Sequence, residues 1–285
     1  MNTPILGSLF IVATPLGNLQ DMTLRAIDVL KTVDWIAAED TRHSHYLLQH
    51  FSIATPCMSL HDFNERDRTE KIVELLRQGK SIALISDAGT PLISDPGFYL
   101  VRETRKHGIP IIPIPGACAA IAALCIAGLP TDRFVFEGFL PVKKALRTAH
   151  LTVLEQEERT MIFYEAPHRI TETLLTLQEV FGDERQVVIA RELTKMHETV
   201  YAGSLAAVID MVRSDAHAEK GEMVVMIAGC QPGVMAEEKI APRQIFKVLI
   251  GELPLSEAVK LTSKITGERK NVLYQLALEM RKDSS

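Results

Sequence analysis

Ser81-Ile82-Ala83-Leu84-Ile85-Ser86-Asp87-Ala88-Gly89-Thr90-Pro91 is the stretch on which the reading of the fold rests. Its first five residues form a short apolar run, of the length and composition of a buried strand. Asp87, Gly89 and Pro91 then end the strand in a sharp turn. Upstream, residues 69–78 carry the apolar spacing of an amphipathic helix stopped by Gly79, and residues 99–106 form another before Gly108. The same alternation extends outward. Residues 9–13, 35–38 and 109–114 read as strands, and Thr23 caps a helix whose apolar face is Leu24, Ile27 and Leu30. Strands alternating with helices over short connections predict a parallel sheet covered on both faces.

Gly128-Leu129-Pro130 punctuates the chain, after which the alternation restarts. Strands are predicted over residues 134–139, 160–164, 187–190, 199–202 and 222–228, with helices over 144–157, 168–180 and 204–212. The richer strand content predicts a mixed second sheet. From Pro242 the pattern is helical, with segments at 243–250, 256–266 and 270–280 and a helix-turn-helix character around Thr266-Gly267-Glu268. The fold class is therefore α/β: an N-terminal domain (1–127), a second α/β domain (128–232), and a small helical tail (239–285).

The 285 residues suffice for two such domains, and 47% hydrophobic against 24% charged residues is the balance of a folded globular chain. The N-terminus lacks the basic start and apolar core of a secretory signal, and the longest apolar run, 117–127, is too short to span a bilayer. Four cysteines without metal or C-x-x-C spacing fit a reducing, cytoplasmic setting. The net charge of −5 divides unevenly: residues 239–282 carry +5 and the remainder −10. A basic tail on an acidic body points towards a polyanionic partner.

Four loops fall at the carboxyl ends of the predicted first-sheet strands, where open α/β sheets bind ligands. They are Thr14-Pro15-Leu16-Gly17-Asn18, Glu39-Asp40-Thr41-Arg42, Ser86 to Pro91, and Pro115-Gly116-Ala117-Cys118. No G-x-G-x-x-G follows the first strand, and no phosphate-cradling G-x-x-x-x-G-K occurs. Carboxylates stand there instead: Glu39, Asp40, Asp87 and Asp95 suit a ligand with hydroxyls, an amine or a cationic centre. The second half adds Glu165-Ala166-Pro167-His168-Arg169 and Arg191-Glu192-Leu193-Thr194-Lys195. The histidines His43, His45, His50 and His61 have no ligand set around them, so no metal is expected. Nor is there a G-x-S-x-G elbow for Ser-based hydrolysis.

Ala13 to Leu19, Ala37 to Arg42, Ser86 to Pro91 with Ser94-Asp95-Pro96-Gly97, Pro115-Gly116-Ala117, and Phe163 to Arg169 occur in this order. Together they resemble the bacterial 16S rRNA (cytidine-2′-O)-methyltransferase family of the tetrapyrrole-methylase fold. The resemblance implies two α/β domains around a cleft for S-adenosylmethionine, a homodimer, and methylation of the ribose 2′-hydroxyl of a decoding-centre cytidine in rRNA of the small ribosomal subunit. It implies cofactor contacts at Pro15, Asp87, Ala88, Gly89, Pro91, Ala117, Cys118, Phe163, Ala190, Arg191 and Ala228. A ribose hydroxyl is a weak nucleophile, so Glu39, Asp40 and a neutral Lys195 are the candidate proton acceptors. Arg42, His168 and Arg169 are the candidate RNA-binding residues. A methylase of a small tetrapyrrole or corrin precursor is the rival reading, and a nucleotide-binding sensor the third. An appended helical module suits RNA better than a small macrocycle.

Overall fold

The computed structural model describes residues 7–230, 245–246, 248–250, 253–266, 270, 272–274 and 276. The chain divides into two compact units, Met1–Gly229 and Cys230–Ser285. The first contains two five-stranded sheets.

The first sheet holds β1 (Leu9–Val12), β2 (Trp35–Ala38), β3 (Cys57–Ser59), β4 (Ile82–Ile85) and β5 (Ile111–Ile114) in the order β3-β2-β4-β1-β5. Every pairing is parallel. Side chains alternate between its two faces. Val12, Ala83 and Ile85 pack under α1 (Leu24–Thr32) and α2 (Thr41–His50). Leu9, Ile82 and Leu84 pack under α3 (Glu65–Arg77) and α4 (Phe98–Lys106). Thr23 caps α1, its hydroxyl accepting the Ala26 N–H at 3.1 Å. Two elements escaped the sequence reading. β3 is a three-residue edge strand, and α2 begins immediately after Asp40, where only a loop was expected.

The second sheet holds β6 (Phe134–Phe139), β7 (Thr160–Glu165), β8 (Gln186–Arg191), β9 (Thr199–Ser204) and β10 (Met223–Ile227) in the order β6-β7-β10-β8-β9. β6 and β7 are parallel and the remaining pairs antiparallel, so the sheet is mixed. One face packs on α6 (Lys144–Val153), α7 (Ile170–Phe181) and α8 (Leu205–Ser214), through residues such as Phe163, Ile189 and Val225. The other face, with Ile162, Val188, Ala190, Val224 and Met226, packs on the small-residue helix α5 (Ala119–Ile126). α5 follows β5, so an element contiguous with the first sheet completes the core of the second.

In the second unit, α9 (Leu255–Thr266) buries Ala258 and Val259 in a small core with Phe246 and Leu273. The remainder of the segments expected at 243–250 and 270–280 lies partly outside the described residues.

Candidate functional site

The chain leaves β1 towards β2 on one side of the first sheet and leaves β4 towards β5 on the other. The crevice between β1 and β4 is therefore the topological switch point, where such sheets bind ligands. The loops after the two strands are tied together there by backbone hydrogen bonds between Thr14 and Gly89. Thr14 Oγ1 also donates to the Ser86 carbonyl at 3.2 Å, and Thr90 Oγ1 to the Ala117 carbonyl at 2.8 Å. The loop after β4 is held in unusual backbone: φ is +82° at Gly89, +73° at Leu92, +67° at Ser94 and +126° at Gly97. Non-glycine residues occupy that region at a cost and persist only where surroundings enforce it, commonly at binding sites. Glu65 supplies part of that enforcement, one carboxylate oxygen accepting the N–H groups of Gly97, Tyr99 and Leu100. Across the cleft, the loop after β8 has φ of +53° at Glu192 and +66° at Thr194. Thr194 Oγ1 accepts the Asn18 N–H at 3.2 Å, joining the two walls.

Two cavities of about 270 Å³ each abut in this cleft. The first is mainly apolar, lined by Gly89, Cys118, Tyr164, Ala190, Leu193 and Val224, with Asp95 at its wall. The second is lined by Pro15, Gly17, His43, Tyr46, Asp87 and Lys195. Leu16, Ala88 and Glu222 face both, forming the partition.

Four carboxylates stand about this cleft: Asp95 on the first cavity, Asp87 on the second, and Glu39 and Asp40, which line neither. Glu39 Oε2 accepts the Asp87 N–H at 3.4 Å, and Asp87 Oδ1 accepts the Asp40 N–H at 3.1 Å. Burial pushes Glu39 above the ordinary carboxylate range, with the Asp87 charge adding to it. Burial likewise drives Asp95 up to about 6, opposed by a Ser86 hydrogen bond and reinforced by Glu39 and Asp87. Asp40 goes the other way, to about 2, because Arg42 hydrogen-bonds it through both side chain and backbone. Asp40 is the N-cap of α2 and is ion-paired with exposed Arg42 at 2.9 Å. Burial alone would lower Lys195, but its ion pairs with Glu192 at 2.8 Å and Glu222 at 3.2 Å outweigh this and hold it protonated.

These surroundings revise several sequence expectations. Lys195 is not a neutral amine; it is a cation clamped between two carboxylates. Asp40, so easily ionised, is a poor proton acceptor. Ala88, Gly89, Cys118 and Ala190 line the first cavity, and Pro15 and Asp87 the second. Phe163 lies fully buried on the opposite face of β7 because strand side chains alternate; Tyr164, the next residue, faces the cavity instead. The same alternation turns Arg191 away, its guanidinium donating to the Lys220 carbonyl and Thr199 Oγ1. Ala228 follows the end of β10, which runs antiparallel to β7 and β8, so it sits about 14 Å along the strand from the cavity edge at Val224. Pro91 is buried beside the turn, and Ala117 contributes its carbonyl to Thr90.

Of the RNA-binding candidates, Arg42 and His168 are exposed. Arg169 is instead tied into the fold, donating to the Leu140 carbonyl at 2.8 Å and pairing with fully buried Glu165. Leu16, Tyr164 and Glu222 line the cavities without having been singled out from sequence, whereas Asp95, one of the loop carboxylates expected near a ligand, lines the first.

Among the described residues no three or more His, Cys, Asp or Glu side chains are arranged to hold a metal ion. No helix there is long and apolar enough to cross a membrane.

The chain matches the tetrapyrrole (corrin/porphyrin) methylase family over residues 8–209. It is 52% identical, over 96% of its length and 97% of the relative's, to ribosomal RNA small subunit methyltransferase I of Pseudomonas aeruginosa. The chain belongs to the ribosomal RNA small subunit methyltransferase I family. A Haemophilus influenzae protein of the same family is 49% identical over 97% of this chain and 98% of its own. The basic tail of this family member matches the RsmI C-terminal HTH domain over residues 237–281. Solved structures share the fold at low identity. Diphthine synthase has a TM-score of 0.60 at 13% identity, covering 78% of this chain and 90% of that one. Uroporphyrin-III-C-methyltransferase from Thermus thermophilus has 0.55 at 18%, covering 78% and 94%.

Proposed function

We propose that this chain is an S-adenosylmethionine-dependent methyltransferase that modifies the ribose 2′-hydroxyl of a decoding-centre cytidine in 16S rRNA of the small ribosomal subunit. The observation that carries the reading is the pair of abutting cavities at the switch point, separated only by Leu16, Ala88 and Glu222. Methyl transfer is an in-line displacement and requires donor and acceptor side by side. The near-full-length relatives named as small-subunit rRNA methyltransferases favour RNA over a small tetrapyrrole as acceptor.

The first cavity fits the cofactor. Its apolar walls at Ala190, Leu193 and Val224 suit an adenine, while Gly89, with no side chain, lets a ligand approach the turn closely. Asp95, with Glu39 and Asp87 nearby, suits a cationic sulfur. When bound, the cofactor supplies an electrophilic methyl group. The chain's own residues position the hydroxyl and accept its proton. Of the three acceptors expected from sequence, only Glu39 is a carboxylate with a raised affinity for protons, and it lines neither cavity; Asp95, also raised and on the wall of the first cavity, is the better-placed acceptor. Lys195 orients, as a fixed cation. Arg42, His168 and the basic tail contact RNA phosphates. The protein acts as a cytoplasmic homodimer.

The test is to incubate the full chain with labelled S-adenosylmethionine and unmethylated small subunits, and to map the product by resistance of one phosphodiester to alkaline cleavage. Label in a base, or label only in extracted metabolites, would refute the reading.

A further inference from the structure

We propose that the second cavity is the acceptor subsite. It takes one nucleotide turned out of its RNA strand, the base stacked on Tyr46 and its polar edge and sugar met by Ser44, Asp87 and Lys195. This inference rests on the proposed RNA methylation and assigns its acceptor to a place.

Three observations converge on it. First, the cavity is built from five separate segments: the loop after β1, the first turns of α2, the Asp87–Ala88 turn after β4, Lys195 in the loop after β8, and Glu222 just before β10. It shares a wall with the first cavity, so an occupant here meets a ligand there across Leu16 and Ala88. Second, it combines an aromatic ring with fixed charge. Tyr46 is 77% exposed, on a helix that otherwise turns its apolar residues inward. Bases stack on such rings whatever their identity. Lys195 is held in place by Glu192 and Glu222, so its remaining hydrogen-bonding capacity has a fixed direction. Third, Ser44 lines the cavity at 3% exposure, and its Oγ has no hydrogen-bond partner. A buried hydroxyl without a partner is costly, and a ligand that satisfies it recovers the difference. The carboxylates Asp87 and Glu222 on the wall accept from amino groups, which favours a base with an exocyclic amine over uracil. A nucleotide turned out of its strand is recognised in such a pocket by stacking and by hydrogen bonds to its base edge.

The experiment uses the full chain with unmethylated small subunits. It compares wild type, Tyr46→Ala, Tyr46→Phe and Ser44→Ala for the affinity of S-adenosylmethionine by calorimetry and for KM and kcat towards the subunits. Tyr46 is exposed, so its replacement leaves the fold intact. Tyr46→Ala is expected to raise KM for the RNA about tenfold, with cofactor affinity within twofold of wild type. Tyr46→Phe should restore KM because it keeps the stacking face. Ser44→Ala should lower kcat/KM several-fold. Wild-type turnover with all variants unchanged would overturn the subsite while leaving the methyltransferase reading intact. A wild type that binds the cofactor and methylates no RNA would overturn both.

Discussion

Thr14 and Gly89 exchange backbone hydrogen bonds: the Thr14 N–H donates to the Gly89 carbonyl at 2.8 Å, and the Gly89 N–H returns to the Thr14 carbonyl at 3.0 Å. The exchange clasps the loops after β1 and β4 at the switch point and needs φ of +82° at Gly89. A methyl added there would lie 3.3 Å from Leu16 Cδ2, on the partition between the cavities. Gly89→Ala should cost about 1 kcal/mol, lowering Tm by roughly 2–4 °C. It should weaken S-adenosylmethionine binding roughly tenfold, or about 1.4 kcal/mol. Calorimetry with the cofactor checks this; unchanged affinity would mean that the turn does not hold the donor.

Gly17 lies under the stem of Lys195, and a Cβ at Gly17 would fall 2.4 Å from Lys195 Cγ. Gly17→Ala must therefore displace the lysine from Glu192 and Glu222. The expected outcome is a loss of kcat on the order of tenfold, or about 1.4 kcal/mol in the barrier, with cofactor affinity unchanged. Steady-state kinetics paired with calorimetry separates the two effects.

Asp95 gives a pH signature. Burial raises its folded-state value from 3.8 to about 6, so between those values the folded chain holds a proton that the unfolded chain releases. Its contribution to stability is therefore present below about pH 4, falls as pH rises to about 6, and stays low above that. Asp95→Asn should be the more stable protein at pH 7.5, by on the order of 1 kcal/mol after allowance for partial solvation, and the gain should vanish at pH 4. If Asp95 accepts the proton, single-turnover rate in the wild type rises through pH 6 and the variant loses that limb. A variant retaining the full rate and pH profile would assign the proton to Glu39 or to solvent.

Glu165 is a buried anchor. It pairs with Arg169, accepts from Thr173 Oγ1 at 2.5 Å, and caps the Ala166 N–H at 2.8 Å. Glu165→Ala leaves a largely buried guanidinium without its partner, at a cost of about 3 kcal/mol and roughly 6–12 °C in Tm. Thermal unfolding measures it directly; a drop below 2 °C would mean that the Leu140 carbonyl alone satisfies Arg169.

The tail concentrates positive charge. Removing residues 239–285 should weaken binding to small subunits and flatten the dependence of log affinity on log salt, since fewer phosphate counterions are released. Cofactor affinity should stay within twofold. Equal loss of both would mean that the tail supports the fold rather than RNA binding.

Strand-and-turn segments such as 81–91 were legible because their apolar runs end in residues that permit few other conformations. α2 was not, since Thr-Arg-His-Ser-His opens it without an apolar stripe, and only its cap Asp40 marks the start. The cavity-lining loops of the first sheet could be located because a parallel sheet sends every strand's carboxyl end to one edge. That logic failed at Ala228, where β10 runs antiparallel and its carboxyl end lies at the far edge. Phe163 and Arg191 failed for a subtler reason. A motif fixes which strand end lies near the ligand, but only the pleat decides which neighbour points in, and a single-residue difference separates Tyr164 from Phe163. The protonation of Lys195 was out of reach, because it depends on Glu222, distant in sequence.

The position of α5 has a consequence for how this architecture can be cut and recombined. Its Ala120, Ala123 and Leu124 cover Ile162, Val188, Ala190, Val224 and Met226. A fragment beginning at residue 128 would carry that greasy strip bare to solvent, and a graft of another second half must match the alanine spacing of a helix it does not encode. Swapping acceptor specificity by exchanging halves is thus barred at the natural-looking seam. The workable joint lies before Ala119, where the helix travels with the sheet it seals.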